Sequence, residues 1–177
     1  FAFQFCDFFG QTFAFGGDTQ QVAQETEYLI AQANRLGIAY TEVAKSYAKF
    51  AAAAIKSGAP VQEVRYIFEA FAETGRVLKL TPDEMKGLFN AVGQSFSKGK
   101  IQAEEIRQQI GERLPGAFAL AQEALKSKFP DLDKALEKGL VGAENLLVVA
   151  ESVRKAAQNG LGPALKSLDA EQQRFNT

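Results

Sequence analysis

Ser97-Lys98-Gly99-Lys100-Ile101-Gln102-Ala103-Glu104-Glu105-Ile106-Arg107-Gln108-Gln109-Ile110-Gly111-Glu112-Arg113-Leu114-Pro115-Gly116-Ala117-Phe118 decides the fold, because it sets a polar glycine turn, a short charged helix and a Leu-Pro-Gly break in fixed order. Gly99 can end one helix in a left-handed conformation. The adjacent Glu104 and Glu105 suit the first turn of the next, where the helix dipole favours negative charge. Pro115 and Gly116 then interrupt the chain before Phe118 opens another apolar run. A chain punctuated in this way stacks helix on helix.

Upstream the same punctuation recurs. Asp18 or Thr19 can cap a helix whose Val22, Leu29, Ala33 and Leu36 share a face, with Gly37 closing it. Thr41 is the expected cap of a second helix carrying Val43, Ala44, Tyr47, Ala48, Ala51, Ala52 and Ile55, stopped by Gly58. Its alanine run, Ala51 to Ala54, favours helix and allows a neighbour to come close. Pro60 suits the first turn of a third helix with Val64, Ile67, Phe68 and Phe71 buried and Gly75 as its end. Thr81-Pro82-Asp83-Glu84 is the strongest start signal: Thr81 caps, Pro82 takes the first helical position and Glu84 completes a capping box. Met85, Leu88, Phe89, Val92 and Phe96 follow as an apolar stripe. The turns around Gly37 and Lys79, and around Gly58 and Gly99, parallel each other at a spacing of about 40 residues, as in stacked helix pairs.

Downstream, Phe118, Leu120, Ala121 and Leu125 form a further helix, broken at Phe129-Pro130. Asp131 caps a short one through Leu132, Ala135 and Leu136, ended by Gly139. Another begins near Ala143, carries Leu146, Leu147, Val149, Ala150 and Val153, and ends at Asn159-Gly160; residues 162 to 175 read as a last helix. The fold class is all-α, with consecutive helical hairpins. Three segments follow: residues 1–17, Phe-rich and extended or irregular; 18–116, a core of helical hairpins; and 117–177, further helices.

Phe1, Phe3, Phe5, Phe8, Phe9, Phe13 and Phe15 hold seven of the chain's 15 phenylalanines. They either pack on the domain or contact a partner chain, and they are the candidate contact residues. The chain starts at Phe1 with no initiator methionine, which reads as a processed or partial piece of a longer polypeptide.

Composition excludes several chemistries. A net charge of −1 carries no basic excess for a nucleic-acid surface. The single cysteine, Cys6, and the absence of histidine remove intrachain disulfides, the usual zinc sites and the ordinary nucleophilic triads. No glycine spacing forms a phosphate loop. Glu104, Glu105 and Glu112, the last expected two turns along the same helix, have a structural explanation rather than the separated environments that acid/base work needs. Lys98, Lys100, Arg107 and Arg113 read as a solvated or interface face. No catalytic, cofactor-binding or metal-ligating residue is expected, and the chain is not expected to be an enzyme. No apolar run has the length of a membrane span and no signal peptide is visible, so the segment reads as soluble.

The blocks Ala33-Asn34-Arg35-Leu36-Gly37-Ile38, Ala44 to Ala53, Val64-Arg65-Tyr66-Ile67-Phe68-Glu69, Ser95 to Lys100, Glu104-Glu105-Ile106-Arg107 and Gly111 to Phe118 carry a resemblance. In order and spacing the chain resembles the core region of tape measure proteins of tailed bacteriophages and prophages. Weaker similarity runs through Leu132 to Gly139.

The resemblance implies a virion structural protein, present in several copies inside the tail tube, that sets tail length, binds the tail tube and tail-tip proteins and leaves on DNA ejection. Its implied partners also include other copies of itself and a tail assembly chaperone in the host cytoplasm, with membrane contact on ejection and no specific nucleic-acid binding. If fully helical and straight, 177 residues would span roughly 265 Å. The glycine and proline breaks instead predict a bent or compact module. The competing reading is a helical-hairpin scaffold that binds a protein or peptide partner.

Overall fold

A computed structural model describes residues 19–158; the Phe-rich start, Asp18, Cys6 and residues 159–177 lie outside the described residues. The helices are α1 (Thr19–Leu36), α2 (Tyr40–Lys56), α3 (Val61–Val77), α4 (Pro82–Lys98), a π-helix (Glu105–Ile110), α5 (Ala117–Leu125), α6 (Leu132–Glu137), a 3₁₀ turn (Ala143–Asn145) and α7 (146–158). Among the described residues there is no strand. An isolated antiparallel bridge joins Lys100 to Gly142, with Ile101 N–H donating to Val141 O at 2.8 Å. The expected all-α class holds.

Helix α2 is the hub. It packs on α1 and α3 and makes its most extensive contact with α4, a helix that is not its neighbour in sequence. Being covered from several sides, it buries Phe50 completely as well as the expected Tyr47, Ala48 and Ala51. Phe50 escapes a single-stripe reading because α2 has more than one apolar face. Close approach to α4 comes from Gly93, where a Cβ would lie 3.6 Å from Phe50 Cα.

Around this crossing Phe68 stacks on Phe89 at 4.5 Å, and Tyr47 meets Phe68 edge-on at 5.0 Å. Phe50 contacts the rings of Phe89 and Phe96. Aromatic pairs of this kind add about 0.5–1.5 kcal/mol beyond the area they bury. The apolar core is continuous from Val22 to Val153.

Several helix boundaries differ from expectation. The Thr81 capping box is present, with Thr81 N–H donating to Glu84 Oε2 at 2.8 Å and Glu84 N–H to Thr81 Oγ1 at 3.3 Å. Asp131 likewise caps α6 through the Lys134 N–H at 3.1 Å. Thr41, however, is no cap: α2 starts at Tyr40 after Ala39, without a side-chain cap. Pro60 stands at the cap position, one residue before α3.

Gly75 does not end α3. It is buried inside the helix, with Met85 and Leu80 filling the space a Cβ would take. The stop is Lys79, a non-glycine residue at φ 58°. Glycine at position 75 answers a need for room, which sequence position near a helix end disguises.

After α4 ends at Gly99 (φ 69°), the chain enters a π-helix rather than the expected α-helix. Gly111 closes it. A Cβ there would collide with the Arg107 carbonyl oxygen, so only glycine lets the wide turn fold down. Glu112 consequently sits in the following turn, exposed, and not two helical turns from Glu105.

Candidate functional site

Polar side chains that α3 carries at four-residue intervals, Arg65, Glu69 and Glu73, assemble two buried networks with other helices. In the first, Glu25 of α1 is fully buried. It accepts from Tyr47 Oη of α2 at 2.8 Å and from Arg65 Nη2 of α3 at 2.6 Å. Tyr28 Oη donates to the Arg65 carbonyl at 3.2 Å, and the Arg65 guanidinium lies 4.8 Å from the Tyr28 ring centroid.

Burial, reinforced by nearby Glu69, pushes the Tyr28 phenol far up; burial and Glu25 do the same to Tyr47. Burial draws Arg65 down, but its hydrogen bond and charge contact with Glu25 outweigh that and leave it raised. The carboxylate is thus fully paired, as a buried charge must be.

The second network holds α1, α3 and α7. Arg154 of α7 grips Glu73 with two parallel bonds, Nε to Oε2 at 2.7 Å and Nη2 to Oε1 at 2.8 Å. It also lies 3.7 Å from Glu69 and 5.1 Å from the Tyr66 ring centroid. Arg35 of α1 pairs with Glu73 Oε1, which also accepts from Arg154, and approaches Glu69 at 3.9 Å. Gln32 accepts from Arg35 Nε at 2.9 Å and donates to Glu69 at 3.1 Å. Two guanidiniums, Arg35 and Arg154, thus face two carboxylates, Glu69 and Glu73. The arrangement fastens helices together.

Glu105, expected in the first turn of a helix, is fully buried. It pairs with Lys98 across the α4–π-helix turn and accepts from Gln102 N–H at 2.9 Å. The basic residues expected on one face are dispersed. Lys98 serves Glu105, and Arg107 pairs with Asp133 and lies over the Phe118 ring at 4.8 Å. Arg113 rests on the bare Cα of Gly87, and Lys100 lies beside Gly139.

The candidate contacts Phe1, Phe3, Phe5, Phe8, Phe9, Phe13 and Phe15 lie outside the described residues. Among the described residues no group of three or more acids, cysteines or histidines is disposed to hold a metal, and no helix is long and apolar enough to cross a membrane.

Two of the clefts on the described surface lie at helix junctions. One, of about 230 Å³, lies between the α1–α2 and α3–α4 turns, lined by Ile38, Val43, Phe68, Leu80 and Met85 with Arg76. The other, of about 180 Å³, lies where α3, the chain around Leu114 and α7 meet.

The networks were only partly legible. The four-residue spacing of Arg65, Glu69 and Glu73 resembles a solvated stripe of intrahelical pairs, yet their side-chain hydrogen-bond partners lie 37 to 81 residues away in sequence.

Fold and networks together define an all-α structural module in which charge is used to lock helices. The family model described as tape measure protein matches residues 10–174. The chain is 35% identical over 150 residues to a probable tape measure protein of Salmonella phage Felix O1 (isolate Felix O1-VT1), covering 82% of this chain and 20% of that relative. The chain belongs to the tape measure protein family. It spans about a fifth of that relative's length. No solved structure matches.

Proposed function

We propose that this chain is a folded module of a phage tail tape measure protein, a structural virion component and not an enzyme. In this reading the parent protein sets tail length during assembly, occupies the tail tube lumen near the tip and is released on DNA ejection. Family membership over residues 10–174 carries the reading. The left-handed breaks at Gly58 and Gly99 support a module within the ruler rather than a stretch of continuous rod.

The partners follow from that setting: other copies of the chain, tail tube and tail-tip proteins, and a tail assembly chaperone in the host cytoplasm beforehand. Residues 1–17, with their seven phenylalanines, are the proposed partner contact, adjoining a helical core over 18–116 and further helices over 117–177. Membrane contact on ejection belongs to the same proposal.

A high-resolution cryo-electron map of purified tail particles tests it. Density for α1 to α7 on the tube axis above the tip, in several copies, is the expected result. A soluble monomer outside the particle would instead identify a helical scaffold for a protein or peptide partner.

A further inference from the structure

Met85, near the start of α4, is the chain's single methionine. Its thioether lies on the bare backbone of Gly75, in the last turn of α3. Met85 Cε and Sδ are the atoms nearest to the place a Gly75 Cβ would take, Sδ at 3.0 Å, with Leu80 Cδ1 at 3.2 Å from the same spot. A side chain at position 75 would displace that thioether, so the α3–α4 junction closes through one glycine and one flexible sulfur-bearing side chain.

Two further observations concern that sulfur. Met85 is 9% exposed, and with Phe68, Ala72 and Leu80 it lines the cleft of about 230 Å³ between the α1–α2 and α3–α4 turns. A water molecule's share of the liquid is about 30 Å³, so a cleft of this size admits a reagent as small as hydrogen peroxide. On the Gly75 side there is no donor for a new oxygen. The Gly75 carbonyl takes the Leu80 N–H at 2.9 Å and can only accept, and the Gly75 N–H belongs to the α3 ladder. The thioether is thus open to a small oxidant through the cleft, and its oxidised form has no partner where it now packs.

We propose that Met85 is a redox-sensitive clasp of the α3–α4 junction. Hydrogen peroxide delivers one oxygen to Sδ: the S–O bond forms as the O–O bond breaks, the sulfur is oxidised by two electrons to the sulfoxide, and the peroxide is reduced to water. The product is larger and polar, and it cannot keep its place on Gly75, so Leu80 and the first turns of α4 part from the end of α3. Phe50, in contact with Phe89 and Phe96, holds the rest of α4 on α2 and confines the change to this junction. Methionine sulfoxide is reducible, so the clasp closes again. The inference rests on local geometry and stands or falls apart from the tape measure reading.

Hydrogen peroxide applied to the folded 177-residue chain tests it. Mass spectrometry of the peptide that holds Met85 should show the gain of an oxygen at no less than about a hundredth of the rate for free methionine. In the oxidised chain the Leu80 amide should exchange faster by about tenfold or more. The Ile101 amide, bonded to Val141 beyond the other end of α4, should keep its rate. Treatment with methionine sulfoxide reductase should restore the Leu80 amide. Met85→Leu keeps an apolar contact without the sulfur, so peroxide should leave its Leu80 amide unchanged, which also separates any effect of Cys6. Slower oxidation overturns the proposal. So does a smaller rise at Leu80, an equal rise at Ile101, or the same rise in Met85→Leu.

Discussion

Glu25 shows how much one residue depends on partners that its own neighbourhood in sequence does not contain. Its carboxylate is fully buried and takes its bonds from Tyr47 and Arg65. Tyr47→Phe removes one donor and is expected to lower unfolding free energy by about 1–3 kcal/mol in urea titrations. Arg65→Met, which strands the charge, should cost more, about 3–5 kcal/mol. Equal costs would show that the Arg65–Glu25 pair contributes no more than the Tyr47 hydrogen bond.

The two buried phenols give a signed pH effect. Both Tyr28 and Tyr47 are raised above their ordinary value, chiefly by burial. Their contribution is therefore complete below the unfolded phenol value of about 10 and declines as pH rises beyond it. Ultraviolet titration should find these two tyrosines ionising only as the chain unfolds; ionisation near pH 10 with the fold intact would refute the burial account. Lys79 offers the opposite sign. A lysine at φ 58° carries a steric cost that glycine does not, so Lys79→Gly should stabilise by about 1 kcal/mol.

At the scale of the element, the caps behave as local sequence dictates and the π-helix does not. Glu84, held low chiefly by the Thr81 N–H and hydroxyl, and Asp131, held low by Lys134, both have depressed values. Their stabilisation is present above the ordinary carboxylate range, about 4, and is lost as pH falls through the lowered values. Glu84→Gln should flatten that part of the acid limb in a series of melting curves taken from pH 5 downward; an unchanged limb would remove the cap from the account.

Gly111 sets the end of the π-helix by excluding a Cβ from the Arg107 carbonyl. Because the obstacle is backbone and cannot swing aside, Gly111→Ala should destabilise by about 1–3 kcal/mol, measured by denaturant titration. The capping box was legible in four consecutive residues. The π-helix was not, because its wide turn answers the burial of Glu105, Ile106 and Ile110 against α4 rather than any local preference.

For the whole molecule, the decisive fact is that the described chain folds back on itself around α2. If its 140 described residues formed one continuous helix they would measure about 210 Å. Under the proposed ruler role, in-frame removal of residues 19–158 should shorten the tail, measured by electron microscopy, by far less than that. A loss near 210 Å would mean the segment works as rod.

By itself the sequence determined the helical class, most helix ends and the apolar positions that fill the core. Those depend on glycine, proline, capping residues and a 3.6-residue period, all of which act within a few residues. Tertiary structure alone decided that α2 pairs most closely with α4, that Phe50 joins the aromatic centre, that Gly75 makes room instead of a stop and that Glu25, Glu73 and Glu105 are buried. The reason is physical: a charge can be buried, or a Cβ omitted, only in answer to a group on another helix, and that group's position exists only once the chain has packed.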